Sequence, residues 1–166
     1  MATGTPASLS VTLPSEREIV LSRRFDAPRA LVFEAMSQPQ HLVNWYGPHG
    51  YSLPLCEVDL RPGGAWRIVH RDAEGREFGF RGQIHDIAPP ERMVRTFEFE
   101  GLPGHVSTET LVLEDLGGGR TQMIVTARFD SVEDRDGMLQ SGMERGAAES
   151  YDRLASYLAN AATHQG

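Results

Sequence analysis

Apolar residues recur at spacings of three and four over the last quarter of the chain. Leu139, Met143, Ala147, Ser150, Leu154 and Leu158 fall on one face of a helix predicted from Ser131 to Asn160. Glu144, Arg145, Glu149, Asp152 and Arg153 fall mostly on the side turned to water. Ser131 followed by Asp134 has the spacing of a capping box at its start. Gly142 and Gly146 lie one turn apart within this pattern. Each costs about 1 kcal/mol relative to alanine inside a helix, so the helix is expected to need close backbone approach or free volume there.

Upstream the period changes to two. Glu16 to Phe25 contains Ile19-Val20-Leu21 and predicts a first strand. Asp26-Ala27-Pro28 then signals a helix to about Ser37 that buries Leu31, Val32 and Ala35, and Pro39 opens a second short helix through Trp45. Six further strands follow: 53–60, 65–71, 77–87, 92–100, 107–116 and 120–129. They are separated by Pro- and Gly-rich turns such as Arg61-Pro62-Gly63-Gly64, Ala88-Pro89-Pro90 and Gly117-Gly118-Gly119. Connections this short make neighbours pair antiparallel, as a meander. The long terminal helix is the one element large enough to cover the sheet's apolar face.

Pairing each hairpin about its turn predicts the register. One row across the sheet reads Trp66, Gly82, Arg95, Leu111 and Val125. The next reads Ile68, Phe80, Phe97, Glu109 and Ala127, and the one beyond reads His70, Phe78, Phe99, Ser107 and Phe129. These rows share an aromatic and aliphatic face. The opposite face carries Arg67, Arg71, Glu77, Arg81, Glu98 and Glu100, which suits solvent. Gly82 opposite the large Trp66 marks a place for the sheet to curl.

Composition narrows the class. The 166 residues suit one domain with a core, and 40% hydrophobic with 23% charged residues is a globular profile. Expected boundaries are a loose tail over 1–15, a single domain over 16–160 and a short tail over 161–166. A net charge of −7 argues against nucleic acid or anionic membrane as the main partner. Cys56 is the single cysteine, so no internal disulfide forms and a cytoplasmic location is expected. There is no signal peptide pattern and no membrane-spanning run.

Several motifs then converge. Phe25-Asp26-Ala27-Pro28, Trp45-Tyr46-Gly47-Pro48, Asp59-Leu60-Arg61-Pro62-Gly63-Gly64-Ala65-Trp66, Pro89-Pro90-Glu91-Arg92 and Gly142-Met143-Glu144-Arg145-Gly146 follow in order. Over roughly 17–160 the chain resembles the START-like (SRPBCC) superfamily, and within it the AHSA-like branch, named for an activator of the heat-shock-chaperone ATPase. The resemblance implies an α+β helix-grip fold, in which a curved antiparallel sheet with two short helices wraps a long C-terminal helix. A hydrophobic cavity between sheet and helix is expected with it. It does not imply one activity, since the superfamily spans carriers, receptors, cyclases, dehydratases and oxygenase domains. The chaperone activators carry an additional domain, for which this length leaves no room.

The chemistry in the residues is sparse. No nucleophile elbow, phosphate loop, dinucleotide fingerprint or His-Glu-x-x-His metal motif occurs. The six histidines are scattered, so neither a metal nor a cofactor is expected. On the mapped inner face His70, Arg95 and Glu109 interrupt an apolar wall. Buried ionisable groups need partners. Arg95 and Glu109, one row apart, are placed to pair diagonally. Alternatively Arg95 receives a ligand carboxylate or enolate, with His70 moving protons. Trp45, Tyr46, Tyr51 and Trp66 are expected to cluster where the short helices meet the sheet, as a cavity rim or as core. Cys56 reads as an inert buried thiol.

The expected ligand-binding set is therefore Trp45, Tyr46, Trp66, Ile68, His70, Phe80, Arg95, Phe97, Glu109, Met143 and Tyr151. His70, Arg95 and Glu109 are the candidates for catalysis. The leading functional expectation is binding of a small hydrophobic molecule in an internal cavity. A cyclase, dehydratase or isomerase acting on an apolar substrate, and a chaperone-linked interaction module, stand as alternatives, and a homodimer is left open.

Overall fold

A computed structural model describes residues 8–165, with side chains through residue 161. Residues 1–7 of the expected N-terminal tail, and Gly166 of the C-terminal one, lie outside the described residues. Twelve elements follow in order. They are β1 (Ser10–Thr12), β2 (Glu18–Phe25), α1 (Arg29–Ser37), α2 (Pro39–Leu42), β3 (Ser52–Val58), β4 (Ala65–Arg71), β5 (Glu77–Ala88), β6 (Arg92–Phe99), β7 (Val106–Gly117), β8 (Arg120–Arg128), α3 (Val132–Gln140) and α4 (Met143–Gln165). The strands form one antiparallel sheet in the order β1-β2-β8-β7-β6-β5-β4-β3. This is the helix-grip arrangement: the meander folds round α4, whose Ser150, Leu154 and Leu158 are buried against it.

Four expectations are corrected. The stretch read as a loose tail supplies β1, which pairs with β2 through Val11↔Leu21, because alternating Leu9 and Val11 can pack at the sheet edge. At the other end α4 runs on to Gln165, past the anticipated Asn160. Third, the terminal helix is two helices. Ser131 caps α3 by accepting from the Asp134 N–H at 3.1 Å. The helix then stops at Gly142, where φ is +85°. That left-handed conformation is one glycine adopts without a Cβ penalty. So Gly142 is a break between helices, not an interior residue, and a Cβ there would meet nothing within 4 Å.

The fourth correction concerns register. The β4–β5 pairing (Trp66↔Gly82, Ile68↔Phe80, His70↔Phe78) and the β7–β8 pairing (Leu111↔Val125) are as expected. Between them, β5–β6 is displaced by two residues, with Phe80 opposite Phe99, Ile84 opposite Arg95 and a bulge between Ile84 and Asp86. The β6–β7 pairing is displaced by two as well, with Arg95 opposite Glu109 and Phe97 opposite Ser107. The β5–β6 hairpin closes at Ala88↔Arg92 with a Glu91 N–H bond to the Ala88 carbonyl. The turn after β6 closes early, by a Leu102 N–H bond to Phe99 O. Both turns lie off the centres that composition alone suggests. A displacement of two keeps every side chain on its own face, so the inner and outer sets survive. On the outer face Arg67 pairs with Glu100 and Arg81 with Glu98.

The core is contiguous. It joins Ile19, Leu21 and Phe25 of β2, Val32 and Phe33 of α1, Trp45, Trp66, Ile68, Ile84, Met93, Leu111 and Leu113, and Leu154 and Leu158 of α4. At Gly82 the β5–β6 ladder opens. The Thr96 carbonyl freed there accepts from the Trp66 indole at 3.0 Å, and Thr96 Oγ1 accepts from the Gln83 N–H at 2.9 Å.

Candidate functional site

Strand register brings the two inward-facing charges together. Arg95 on β6 and Glu109 on β7 stand directly opposite, and Arg95 Nε donates to Glu109 Oε1 at 2.9 Å. The guanidinium lies over the Trp66 ring, 4.1 Å from its centroid, a cation–π contact. The Tyr46 hydroxyl interacts with its remaining polar edge. Burial works against the Arg95 charge, but Glu109 and Tyr46 outweigh it and hold the guanidinium more firmly protonated than a free arginine. The diagonal contact expected from the sequence is thus a direct one. Of the guanidinium that the alternative reading offered to a ligand carboxylate, Nε is bonded to Glu109.

Two tyrosines adjoin the pair. Tyr46, from the segment after α2, and Tyr151, on α4, both have their phenols pushed above the ordinary tyrosine value by burial, with Glu109 adding to the effect. Trp45 packs on both, with ring centroids 5.5 Å from Tyr46 and 6.2 Å from Tyr151. Its own indole N–H is satisfied by the Ala35 carbonyl at 2.8 Å, so Trp45 is core, not rim. Ile68 is likewise wholly buried.

His70 sits one ring away. Its imidazole contacts Tyr46, Tyr51 and Phe80 at 5.3, 5.9 and 4.9 Å between centroids. Its Nε2 is buried without a hydrogen-bond partner. Burial, aided by the Arg153 charge, drops its pKa to about 4. Phe80 stacks on Phe97 and Phe99 at 5.4 and 5.3 Å, and Phe97 on Trp66 at 5.9 Å. Of the expected set, then, Tyr46, Trp66, Arg95, Glu109 and Tyr151 form one cluster, with Phe97, Phe80 and His70 as its aromatic flank. Met143, at the start of α4, packs against the apolar core.

Residues outside the expected set hold this arrangement. Arg153 Nη1 donates to the Gly47 and Pro48 carbonyls at 2.8 and 3.1 Å. Ser150 Oγ accepts from the Gly47 N–H at 3.0 Å, and Glu149 accepts from the His49 N–H at 3.2 Å. These bonds staple the segment carrying Tyr46 to α4. Asp152 pairs with the buried Arg23 at 2.9 Å. The polar side of the helix, expected to face water, thus grips the loop and β2. Helical periodicity marks these residues as polar but carries no signal for a partner a hundred residues away.

Beneath α1 and α2 the sheet encloses almost no free space. The void bounded by Met36, Leu42, Val58, Trp66, Ile84, Met93 and Arg95 comes to about 10 Å³. That is the room of about one water-sized probe. On one side, however, the inner face is incompletely covered. Phe78, Phe80, Phe97 and Phe99 are only half-buried, as are Met138, Leu139, Met143 and Ala147 on the helices. The Arg95 and Glu109 side chains keep 18% and 22% of their surface exposed. Cys56 is half-buried, and its thiol is pushed up to about 11 by burial, which keeps it an unreactive thiol at neutral pH. Among the described residues no three His, Cys, Asp or Glu side chains converge as a metal site, and no helix is long and apolar enough to cross a membrane.

The fold and this interior define an α+β helix-grip protein of SRPBCC type. The model of the family described as "Activator of Hsp90 ATPase homolog 1-like protein" matches residues 26–159. That is most of the chain, and the protein belongs to this family. A crystal structure of a Rhodobacter sphaeroides protein is 25% identical, with 92% of this chain and 99% of that one covered at a TM-score of 0.86. A Nitrosomonas europaea protein is 25% identical over 91% and 99% of the two chains, at 0.81. The AHSA1 protein from Silicibacter pomeroyi is 26% identical over 86% and 97%, at 0.71. No curated protein sequence matches the chain.

Proposed function

We propose that this protein binds a small, largely apolar molecule against the inner face of the sheet, beside α3 and α4. The observation that carries this reading is the ion pair within an aromatic wall that still reaches solvent. In a purely structural core the phenylalanines of β5 and β6 would be covered and the ion pair sealed or absent, because unfilled apolar contacts forfeit stability. Here the aromatic row Phe80-Phe97-Phe99 remains half-open beside Arg95 and Glu109. Ligand-binding surfaces combine an apolar lining with a few placed polar groups in this way. The molecule rests on this open side of the fold.

Catalysis fits the same residues less well. Proton transfer at neutral pH needs a group tuned towards neutrality. Tyr46, Tyr151 and Arg95 are all shifted upwards, and His70 is shifted down to about 4. These groups hold their protonation states and serve as fixed donors and acceptors. A protein-docking role is supported less, because the exposed large apolar residues Leu13, Val43, Leu102 and Leu116 are scattered over three separate connections and the end of β7.

The test is native mass spectrometry of protein purified from its own host, with extraction of whatever travels with it. A bound apolar molecule is the expected result. An empty protein, combined with no chemical-shift change at Phe80 or Phe97 on titration with aromatic fragments, would sink the proposal.

A further inference from the structure

We infer that Glu109 makes this site select neutral aromatic molecules bearing an O–H or N–H donor over aromatic anions; this rests on the binding site proposed above. Arg95 Nε is taken by Glu109 Oε1 at 2.9 Å, and the Tyr46 hydroxyl interacts with the same guanidinium. Its π-face lies on Trp66. What the pair presents to an incoming molecule is therefore a guanidinium whose charge is already balanced by Glu109. Beside it stands the second carboxylate oxygen, Glu109 Oε2, which accepts no hydrogen bond among the described residues and is not among the buried unpartnered atoms. An incoming carboxylate would have to displace Glu109 or lie beside it, like charge against like charge, in a poorly solvated place. The chain's net charge of −7 adds a weaker field of the same sign.

A phenol or anilide meets the opposite situation. Its N–H or O–H donates to Glu109 Oε2, a charge-assisted bond stronger than one between neutral groups. Its ring meanwhile lies against Phe97 and Phe80, where offset or edge contacts are favourable. The site is thus built around an acceptor, with an arginine whose work is to hold that acceptor in place.

The experiment uses two probes of the same ring system, 2-naphthol, neutral at pH 7, and 2-naphthoate, an anion. Affinities are measured by tryptophan fluorescence and calorimetry on the full chain. The wild type is expected to bind 2-naphthol at least tenfold more tightly. Glu109→Gln, isosteric but uncharged, frees Arg95 and is expected to shrink or reverse that ratio. Circular dichroism establishes that the variant is folded. Should it be unstable, Glu109→Ser, which admits water beside the guanidinium, takes its place. Equal or tighter binding of 2-naphthoate by the wild type overturns the inference, as does a ratio that Glu109 substitution leaves unchanged. If neither probe binds the folded wild type, the binding site itself is refuted, and the selectivity with it.

Discussion

Trp66 reaches across Gly82. The two residues face each other on β4 and β5, and the indole N–H passes over the glycine to the Thr96 carbonyl on β6. A Cβ built on Gly82 would lie 2.5 Å from Trp66 Nε1 and 1.9 Å from Thr96 O. Neither can yield: one is a buried ring and the other is backbone. The ladder opens here, Trp66 fills the opening, and Arg95 rests on the indole.

Gly82→Ala is therefore expected to destabilise by about 2–3 kcal/mol, the upper range for forcing atoms into a packed core. Urea denaturation checks the magnitude. Tryptophan fluorescence of the native state checks the cause, since displaced Trp66 meets a wetter surrounding. An unchanged midpoint would refute the packing described.

The two helix glycines should respond with opposite signs. A Cβ at Gly146 meets Pro48 Cγ at 3.5 Å, an ordinary contact. Gly146→Ala should stabilise by about 0.5–1 kcal/mol through helix propensity. Gly142 lies at φ +85°, so Gly142→Ala should destabilise by about 1 kcal/mol even with open space around it. Thermal melts of both single variants decide the matter.

Arg23 is almost covered, with 8% of its side chain exposed, while its partner Asp152 keeps 62%. Removing the carboxylate leaves a buried cation with one remaining bond, from Nη1 to the Arg24 carbonyl. Breaking a fully buried pair costs more, but solvent already screens this one on the acid side. Asp152→Asn should cost about 1–2 kcal/mol, measured by urea denaturation. Salt should weaken the effect in wild type and not in the variant.

Acid should act through His70. The unfolded chain takes up a proton near the ordinary histidine value of 6.5, while folded His70 accepts one only near pH 4. The unfolded state thus binds more protons between these values, and its share grows as pH falls. The stability His70 allows is fully present above pH 6.5, declines as pH drops towards 4, and is lost below it. Allowing for a partly exposed ring, about 1–2 kcal/mol is at stake. Glu98 and Glu100 touch only the acid edge of this window, where the unfolded chain begins to protonate them near 4.5. The Gly104 N–H and Arg67 respectively, as first cause, hold them below the ordinary carboxylate range. His70→Phe should flatten the stability profile between pH 6.5 and 4. A wild-type profile already flat there would contradict the burial of His70.

Much of this protein can be read in its residues. Alternation along β4 to β8 is a local property, so it names the inner face without reference to any neighbour. Trp66, Phe80, Phe97, Arg95 and Glu109 are all found on that face. The order of elements follows equally from turn residues and from the spacing of Leu154 and Leu158. Which inner residue meets which is another matter. Period two cannot distinguish a register from one displaced by two, and the turns after β5 and β6 made that displacement. The tertiary structure therefore decided that Arg95 faces Glu109 directly. It also decided that Gly142 ends a helix, because its positive φ depends on how α3 is held, by His105 on Asp134 and by Arg135 on the Ser15 carbonyl. Arg153 and Asp152 found partners on a loop and a strand more than a hundred residues away. That the inner face stays half-open at Phe80, Phe97 and Phe99 was likewise decided by how far the helices reach over the curved sheet, which no local pattern encodes.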